Sequence, residues 1–212
     1  MRISVGRDGR SAGSRAPNGE EPTLEASPRN GKPWAALAAA TAVMVALLIG
    51  QGRTWWCACG GVNPWVGDIW TAHCSQHLID AYSFTHVLHG IVLYGLVAWL
   101  LPRLTTTWRL VVVTAVEGAW EVLENSNFLI QRYREATIAL GYTGDTITNS
   151  LSDLACCAAG FYLARRLGLR RSIVVYVVSE LVLLVWVRDN LTLNVLMLVY
   201  PIEAIKTWQA AH

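Results

Sequence analysis

The sequence predicts an all-α protein of the polytopic membrane class, a bundle of five or six transmembrane helices behind a disordered N-terminal tail. Charged residues make up 15% of the 212 residues, whereas soluble domains carry about 25%. Hydrophobic residues make up 53%, and the mean hydropathy is +0.35. Several long apolar runs alternate with short basic segments. The net charge of +2 is too small to indicate nucleic-acid binding.

The N-terminal 33 residues are rich in Gly, Ser, Pro, Arg and Glu and contain almost no large apolar side chains. Such a segment buries too little surface to offset the entropy of ordering, so we expect a disordered cytoplasmic tail over 1–33. A transmembrane helix needs roughly 20 apolar residues, with a lower limit near 17. The remaining chain, 34–206, is predicted as the transmembrane domain. Its predicted spans are 34–50, 82–101, 110–124, 145–163 and 172–187, with 190–205 as either a sixth span or a short re-entrant segment.

Basic residues predict the orientation of these spans. The tail is rich in arginine, Arg103 and Arg109 flank one turn, and four arginines lie in the turn 164–171. With five spans these three regions fall on the same side, which the positive-inside rule places in the cytoplasm. We therefore expect a multi-pass protein of the bacterial inner membrane with a cytoplasmic N-terminus. The connections 51–80 and 125–144 would then lie outside, the latter as a loop.

Three sets of polar residues recur at steps of three or four, the spacing that aligns side chains on one helical face. The predicted topology brings all three sets to a similar depth near the outer side. Ionisable residues inside a membrane are costly and usually face the interior of the bundle. We therefore expect one shared pocket. The sets are Tyr82, His86 and His89; Glu117, Glu121 and Glu124; and Asp145, Asn149 and Asp153.

Two histidines one helical turn apart, with a carboxylate, form an accepted zinc ligand set that leaves one position for water. His86 and His89 are the predicted metal ligands, with Glu121 or Asp153 as the third. Glu117 could act as a base toward metal-bound water. We expect a lipid-linked substrate from the bilayer and a hydrolase or transferase acting on a cell-envelope lipid or glycan intermediate. The candidate catalytic residues are Glu117, Glu121, Asp145 and Asp153, and the candidate ligand-binding residues are Arg132, Asn125, Asn149 and Arg188.

The same polar residues are compatible with two other functions. A chain of carboxylates and imidazoles can relay protons or bind a cation, as in small transporters. A buried polar network can also hold helices together, although each hydrogen bond between membrane helices contributes only about 0.6 kcal/mol. A metal site requires both His86 and His89, whereas a structural network should tolerate isosteric amides.

The cysteines indicate a separate feature. Cys57, Cys59 and Cys74 lie in the connection predicted to be outside, where disulfides persist. We expect a bridge from Cys74 to Cys57 or Cys59. The alternative is a second metal site that adds His73 and His77, although Cys-x-Cys is not the usual zinc spacing.

The motifs HVLHG, EGAWEVLENS, GDTITNSLSDL and RDNLTLNVLMLVYPIEAIKTWQ resemble a family of bacterial multi-pass inner-membrane proteins known as a domain of unknown function. The resemblance covers roughly residues 55–209 and implies a membrane helix bundle without an assigned activity. A looser pattern resembles the VanZ-like membrane proteins, with Asp80-Ala81 where that family has an Asp-Lys pair. Its positions here are Asp80, His86, Gly90, Glu117 or Glu121, Arg132, Asp145, Asn149, Asp153 and Gly160.

Overall fold

The structure is a computed structural model that describes residues 31–139 and 141–211. The predicted disordered tail lies almost wholly outside these residues. The described chain is mostly helical and confirms the all-α class, with one short parallel pair formed by β1 (Trp65–Val66) and β2 (Ile79–Asp80). The helices are α1 (Lys32–Gly50), α2 (Ser83–Leu100), α3 (Thr106–Glu124), α4 (Asn127–Ala136), α5 (Ile147–Val187), α6 (Leu191–Val199) and α7 (Glu203–Ala210).

Two of the helices, α1 and α2, are long and apolar enough to cross a membrane by length and composition. Helix α3 has the length of α1, at 19 residues, but its sequence contains Arg109 and three glutamates. By this measure, two of the five or six predicted spans correspond to described helices that could cross a membrane.

Helix α5 joins two segments that the sequence predicts as separate spans. Its 41 residues are interrupted only at Gly168, where φ is 71° and ψ is 173°. A positive φ favours glycine because a side chain would clash with the backbone. The basic turn predicted over 164–171 is thus a break of one residue, with helical geometry on both sides.

The region 125–144 contains a helix, so the prediction of a loop throughout is wrong. Helix α4 begins after Ser126, whose side chain accepts a hydrogen bond from Leu129 N at 3.3 Å and caps the helix. Leu129, Ile130 and Tyr133 are buried on one face. Charged residues next to these positions, Arg132, Arg134 and Glu135, make the apolar stripe difficult to recognise in the sequence.

The last apolar segment is divided rather than continuous. Helix α6 has 9 residues and ends at Val199, and α7 begins after Ile202. Pro201 lies in the gap, where it removes a backbone donor and disfavours helical geometry at Tyr200. Neither helix has the length of roughly 20 residues that a span requires. The segment 190–205 therefore does not form one continuous helix in the structure.

Helices α2 and α5 approach each other closely through glycine. A Cβ atom on Gly90 would overlap the carbonyl oxygen of Cys157, and one on Gly160 would overlap the carbonyl oxygen of Val87. Glycine at such a crossing lets two helix backbones meet. This contact fixes the face of α2 that is turned toward α5.

Replacing Gly90 with alanine should therefore lower the melting temperature in detergent, because the new methyl group collides with backbone that cannot move aside. Gly95→Ala is the matched control, since it lies on the same helix with open space around it and alanine favours helix by about 1 kcal/mol. Thermal unfolding of the two variants checks this. Equal melting temperatures would contradict the close crossing.

Candidate functional site

His86 lies at the centre of a buried cluster of acids contributed by two other helices. Its Nδ1 is 2.6 Å from Glu117 Oε1 and 3.4 Å from Glu121 Oε1, both on α3. Its Nε2 is 3.8 Å from Asp153 Oδ2 on α5. His89, one turn along α2, places its Nδ1 3.0 Å from the same Glu117 oxygen. The structure thus brings together five of the residues proposed from the sequence.

The cluster contains more acids than bases. Among the described residues its carboxylates form ion pairs with histidine only. Glu121 is fully buried, and among the described residues neither of its side-chain oxygens accepts a hydrogen bond, although Oε1 lies 3.4 Å from His86 Nδ1. A buried carboxylate without a partner is costly unless it is protonated or paired with a cation. Three carboxylates surround His86, so the site is suited to hold additional positive charge.

A cavity of about 930 Å³ opens beside this cluster. Its lining includes His86, His89 and Glu117 together with apolar side chains such as Leu93 and Ile138. The cavity therefore combines a polar, ionisable region with apolar walls. Such a mixed lining suits a ligand with a polar head and an apolar tail.

Asp80 positions the start of α2 and with it the two histidines. Its Oδ1 accepts hydrogen bonds from Tyr82 N at 2.7 Å and Ser83 N at 3.1 Å, and its Oδ2 accepts one from Ser75 N at 2.8 Å. The bonds from Tyr82 and Ser83 satisfy amides at the N-terminus of α2. Burial raises the pKa of the Asp80 carboxyl. Asp80 thus holds the helix in place and does not join the cluster.

Asn125 and Asp145 form a clamp between the end of α3 and the start of α5. Asn125 Nδ2 donates to Asp145 Oδ2 at 3.0 Å, and Asp145 N donates to Asn125 Oδ1 at 2.6 Å. Tyr142 donates its hydroxyl to Asp145 at 2.9 Å. Asp145 lines the cavity but is bonded to the clamp instead of to a histidine. Asn149 is buried and its side-chain N and O have no hydrogen-bond partner.

Arg132 and Arg188 are not part of the lining of the cavity, and their predicted role in ligand binding stays a prediction. Arg132 donates from Nε to Leu198 O at 2.8 Å, at the end of α6. Arg188 donates to Trp208 O at 3.2 Å near the end of α7. Cations near the C-terminal carbonyls of a helix are favoured by the helix dipole. Both guanidinium groups are therefore used to anchor the C-terminal helices.

The disulfide predicted from Cys74 to Cys57 or Cys59 is not formed in the structure. All five cysteines of the chain are free thiols. The Cys74 sulfur lies 3.9 Å from the Ser75 hydroxyl, whereas Cys57 and Cys59 group with histidines. The side chains in this connection therefore favour the alternative that the sequence left open.

Sequence reasoning missed several polar groups around the cavity. Tyr133 and Tyr142 line it, and Tyr133 donates its hydroxyl to Glu124 at 2.8 Å. Tyr133 belongs to the apolar stripe of α4, whose helical spacing is the signal that could have identified it, whereas Tyr142 lies outside the helices. Glu180, within an apolar run, accepts from Leu191 N and Thr192 N at 3.0 Å and caps α6. An acid in an apolar run is itself a signal.

Comparison with known proteins shows the family of the chain. Residues 48–211 match the family model described as Protein of unknown function (DUF2585). No solved structure matches the chain.

Several relatives bear the name UPF0314 protein. One from Sphingopyxis alaskensis is 46% identical over 177 residues, covering 84% of this chain and 94% of the relative. One from Paracoccus denitrificans is 45% identical over 170 residues, covering 80% of this chain and 88% of the relative. These matches confirm the resemblance carried by the four motifs, and the chain belongs to the DUF2585 family of bacterial proteins.

Proposed function

We propose that the chain is a multi-pass protein of the bacterial inner membrane, with its N-terminus in the cytoplasm and its polar cavity toward the outer side. Support comes from the exposed surface. Only 17% of the apolar window of α1 is buried, although a core helix of a soluble protein would be mostly buried. Large apolar side chains cover the outside of the helices, as contact with lipid requires. Among them are Val43, Leu47, Val92, Leu96, Trp99, Val177, Val178, Leu181 and Val185.

The charged helix α3 fits this proposal because its acids point inward. Glu117 and Glu121 are 1% and 0% exposed, while Leu123 on another face of the helix is 48% exposed. A helix with this distribution meets lipid with apolar atoms and keeps its ionisable groups in the bundle. The amino-acid composition of α3 alone does not show this arrangement.

We infer that the buried cluster binds a divalent metal such as zinc through His86, His89 and Glu117. One ligand atom from each lies within 4.8 Å of the others. Two histidines and one carboxylate occur in catalytic zinc sites that keep a further position open for water. The observation that carries this inference is the excess of buried carboxylates around His86, because a divalent cation would balance their charge.

The proposed reaction is hydrolysis of, or transfer from, a lipid-linked envelope intermediate. The metal would polarise the substrate and lower the pKa of a bound water. Glu121 lies beside His86 without a partner of its own, so it could take the water proton and return it to the leaving oxygen. In hydrolysis the water oxygen would bond to the phosphorus of the substrate as the bond from phosphorus to the leaving oxygen breaks. In transfer an acceptor hydroxyl would take the place of water. The apolar walls of the cavity would hold the lipid chain.

A second function is supported by the carboxylates that lie near both ring nitrogens of His86. Carboxylates face its Nδ1 at 2.6 Å and its Nε2 at 3.8 Å. An imidazole between two acids can pass a proton by accepting on one nitrogen and donating from the other. A proton or cation relay would use this path without a bound divalent metal. Metal content therefore separates the two proposals.

We expect His86→Ala/His89→Ala to remove one equivalent of bound metal per chain, because two of the three ligands are lost. Metal content is measured by mass spectrometry on the full chain purified in detergent and reconstituted with zinc. Asn127→Ala/Glu203→Ala, on the exposed surface, is the control for a double substitution. The metal site is contradicted if the wild-type protein binds no metal after reconstitution. It is also contradicted if the double variant keeps the full metal content.

Glu121→Gln should lower turnover by about 10²- to 10⁴-fold, the range for loss of a general base, while metal content stays near wild type. The assay follows release of phosphate or head group from a panel of lipid-linked phosphates and phospholipids in vesicles. Glu135→Gln is the matched control on the exposed face of α4. Undiminished turnover in Glu121→Gln refutes its role as base, and no turnover by metal-loaded wild type favours the relay.

A further inference from the structure

A second group of metal-ligating side chains lies in the connection between α1 and α2, outside the helical cluster. It consists of Cys57, Cys59, His73 and His77, and one ligand atom of each lies within 4.8 Å of all the others. Cys57 Sγ is 3.5 Å from His73 Nδ1, and Cys59 Sγ is 3.7 Å from His77 Nε2. The bonded cysteines and histidines are 16 and 18 residues apart in sequence, so the folded connection brings the two pairs together.

The distances agree with a tetrahedral zinc site. Zinc bonds of about 2.3 Å to sulfur and about 2.0–2.1 Å to nitrogen place a tetrahedral sulfur–nitrogen pair about 3.6 Å apart. Both observed sulfur–nitrogen distances are close to this value. Two thiolates and two imidazoles complete the usual four ligands of a structural site, in which no position is left for water.

The surroundings of the group orient its atoms as ligands. The backbone N–H of Cys59 donates to Cys57 Sγ at 3.3 Å, and that of Gly61 donates to Cys59 Sγ at 3.4 Å. Such bonds stabilise negative charge on sulfur. His77 Nδ1 lies 2.6 Å from the Asn63 carbonyl oxygen, which can only accept.

The proton of a neutral His77 therefore lies on Nδ1, and the lone pair of Nε2 faces Cys59. A ligating histidine usually donates its other nitrogen to a carbonyl or carboxylate in this way. Trp56 packs edge-on against the same ring, with centroids 5.3 Å apart, and limits its rotation.

We propose that Cys57, Cys59, His73 and His77 bind a structural zinc ion that holds this connection in its folded form. The connection 51–82 has little regular structure beyond the pair of two-residue strands. A metal that links its two ends supplies stability that such a segment does not obtain from packing. Residues 69–72, 74 and 75 of the same connection line the cavity. The ion thereby fixes one wall of the cavity, independently of the metal proposed at His86.

The first test uses wild-type full-length protein, so it does not depend on the folding of a variant. Zinc-loaded protein in detergent is treated with a maleimide with and without a strong chelator, and the labelled cysteines are identified by mass spectrometry. Cys59 is exposed, so its thiol should react readily unless a metal holds it. We expect labelling of Cys59 to rise at least tenfold with chelator. Rapid labelling without chelator, or a disulfide at Cys57 or Cys59, overturns the proposal.

The second test measures zinc stoichiometry in Cys57→Ser/Cys59→Ser, with Cys74→Ser/Cys156→Ser as the matched control. The first variant should lose one equivalent per chain, and the control should lose none. His86→Ala/His89→Ala should retain this equivalent, so failure at one site is distinguishable from failure at the other. Cobalt-loaded wild type should also show a thiolate-to-metal charge-transfer band that disappears when Cys59 is alkylated. Full zinc content in Cys57→Ser/Cys59→Ser, or absence of the band, refutes the assignment.

Discussion

The contact between Glu117 and the two imidazoles of α2 is the interaction around which the rest of the structure is arranged. Both His86 and His89 direct Nδ1 toward one Glu117 oxygen, at 2.6 and 3.0 Å. This convergence requires α2 and α3 to face each other at one depth. It also brings further carboxylates, Glu121 and Asp153, into an interior where an uncompensated charge is costly. The need for compensating positive charge is the physical basis for proposing a cation there.

Other polar contacts support this arrangement without joining it. Asp80 caps the helix that carries the histidines, and the Asn125–Asp145 clamp joins α3 to α5. The glycine crossing brings α2 and α5 within backbone contact. Each of these interactions restricts a helix that supplies one side of the cluster, and their sum places the ionisable groups beside the cavity.

The sequence predicted the cluster because helical periodicity is regular. Steps of three and four put His86 and His89 on one face of α2, and Glu117 and Glu121 on one face of α3. Because ionisable residues inside a membrane usually face the interior of the bundle, these two faces were expected to meet. Periodicity could not predict the contacts of Arg132 and Arg188, since their partners are carbonyl groups at helix ends distant in sequence. Every residue has a backbone carbonyl, so residue identity does not show which carbonyl will accept a hydrogen bond.

The arrangement of side chains in the connection between α1 and α2 also could not be predicted from helical periodicity. Cys57, Cys59, His73 and His77 come from a segment without periodicity, and sequence favoured a disulfide there because cysteines outside a membrane commonly pair. Only the folded geometry shows that sulfur faces imidazole. The protein thus has two groups of potential ligands. One lies beside the cavity and is suited to chemistry, and the other lies in the connection that supplies one wall of the cavity.

The most direct test of the central claim is an anomalous difference map from crystals of the zinc-loaded protein, recorded at the zinc absorption edge. We predict an anomalous peak for a zinc ion bound by His86, His89 and Glu117, with Glu121 beside it. The Cys57 site, if occupied, provides an internal reference for peak height. A map without density at His86, with Glu117 hydrogen-bonded directly to both imidazoles, would contradict the claim that the buried carboxylates hold a divalent metal.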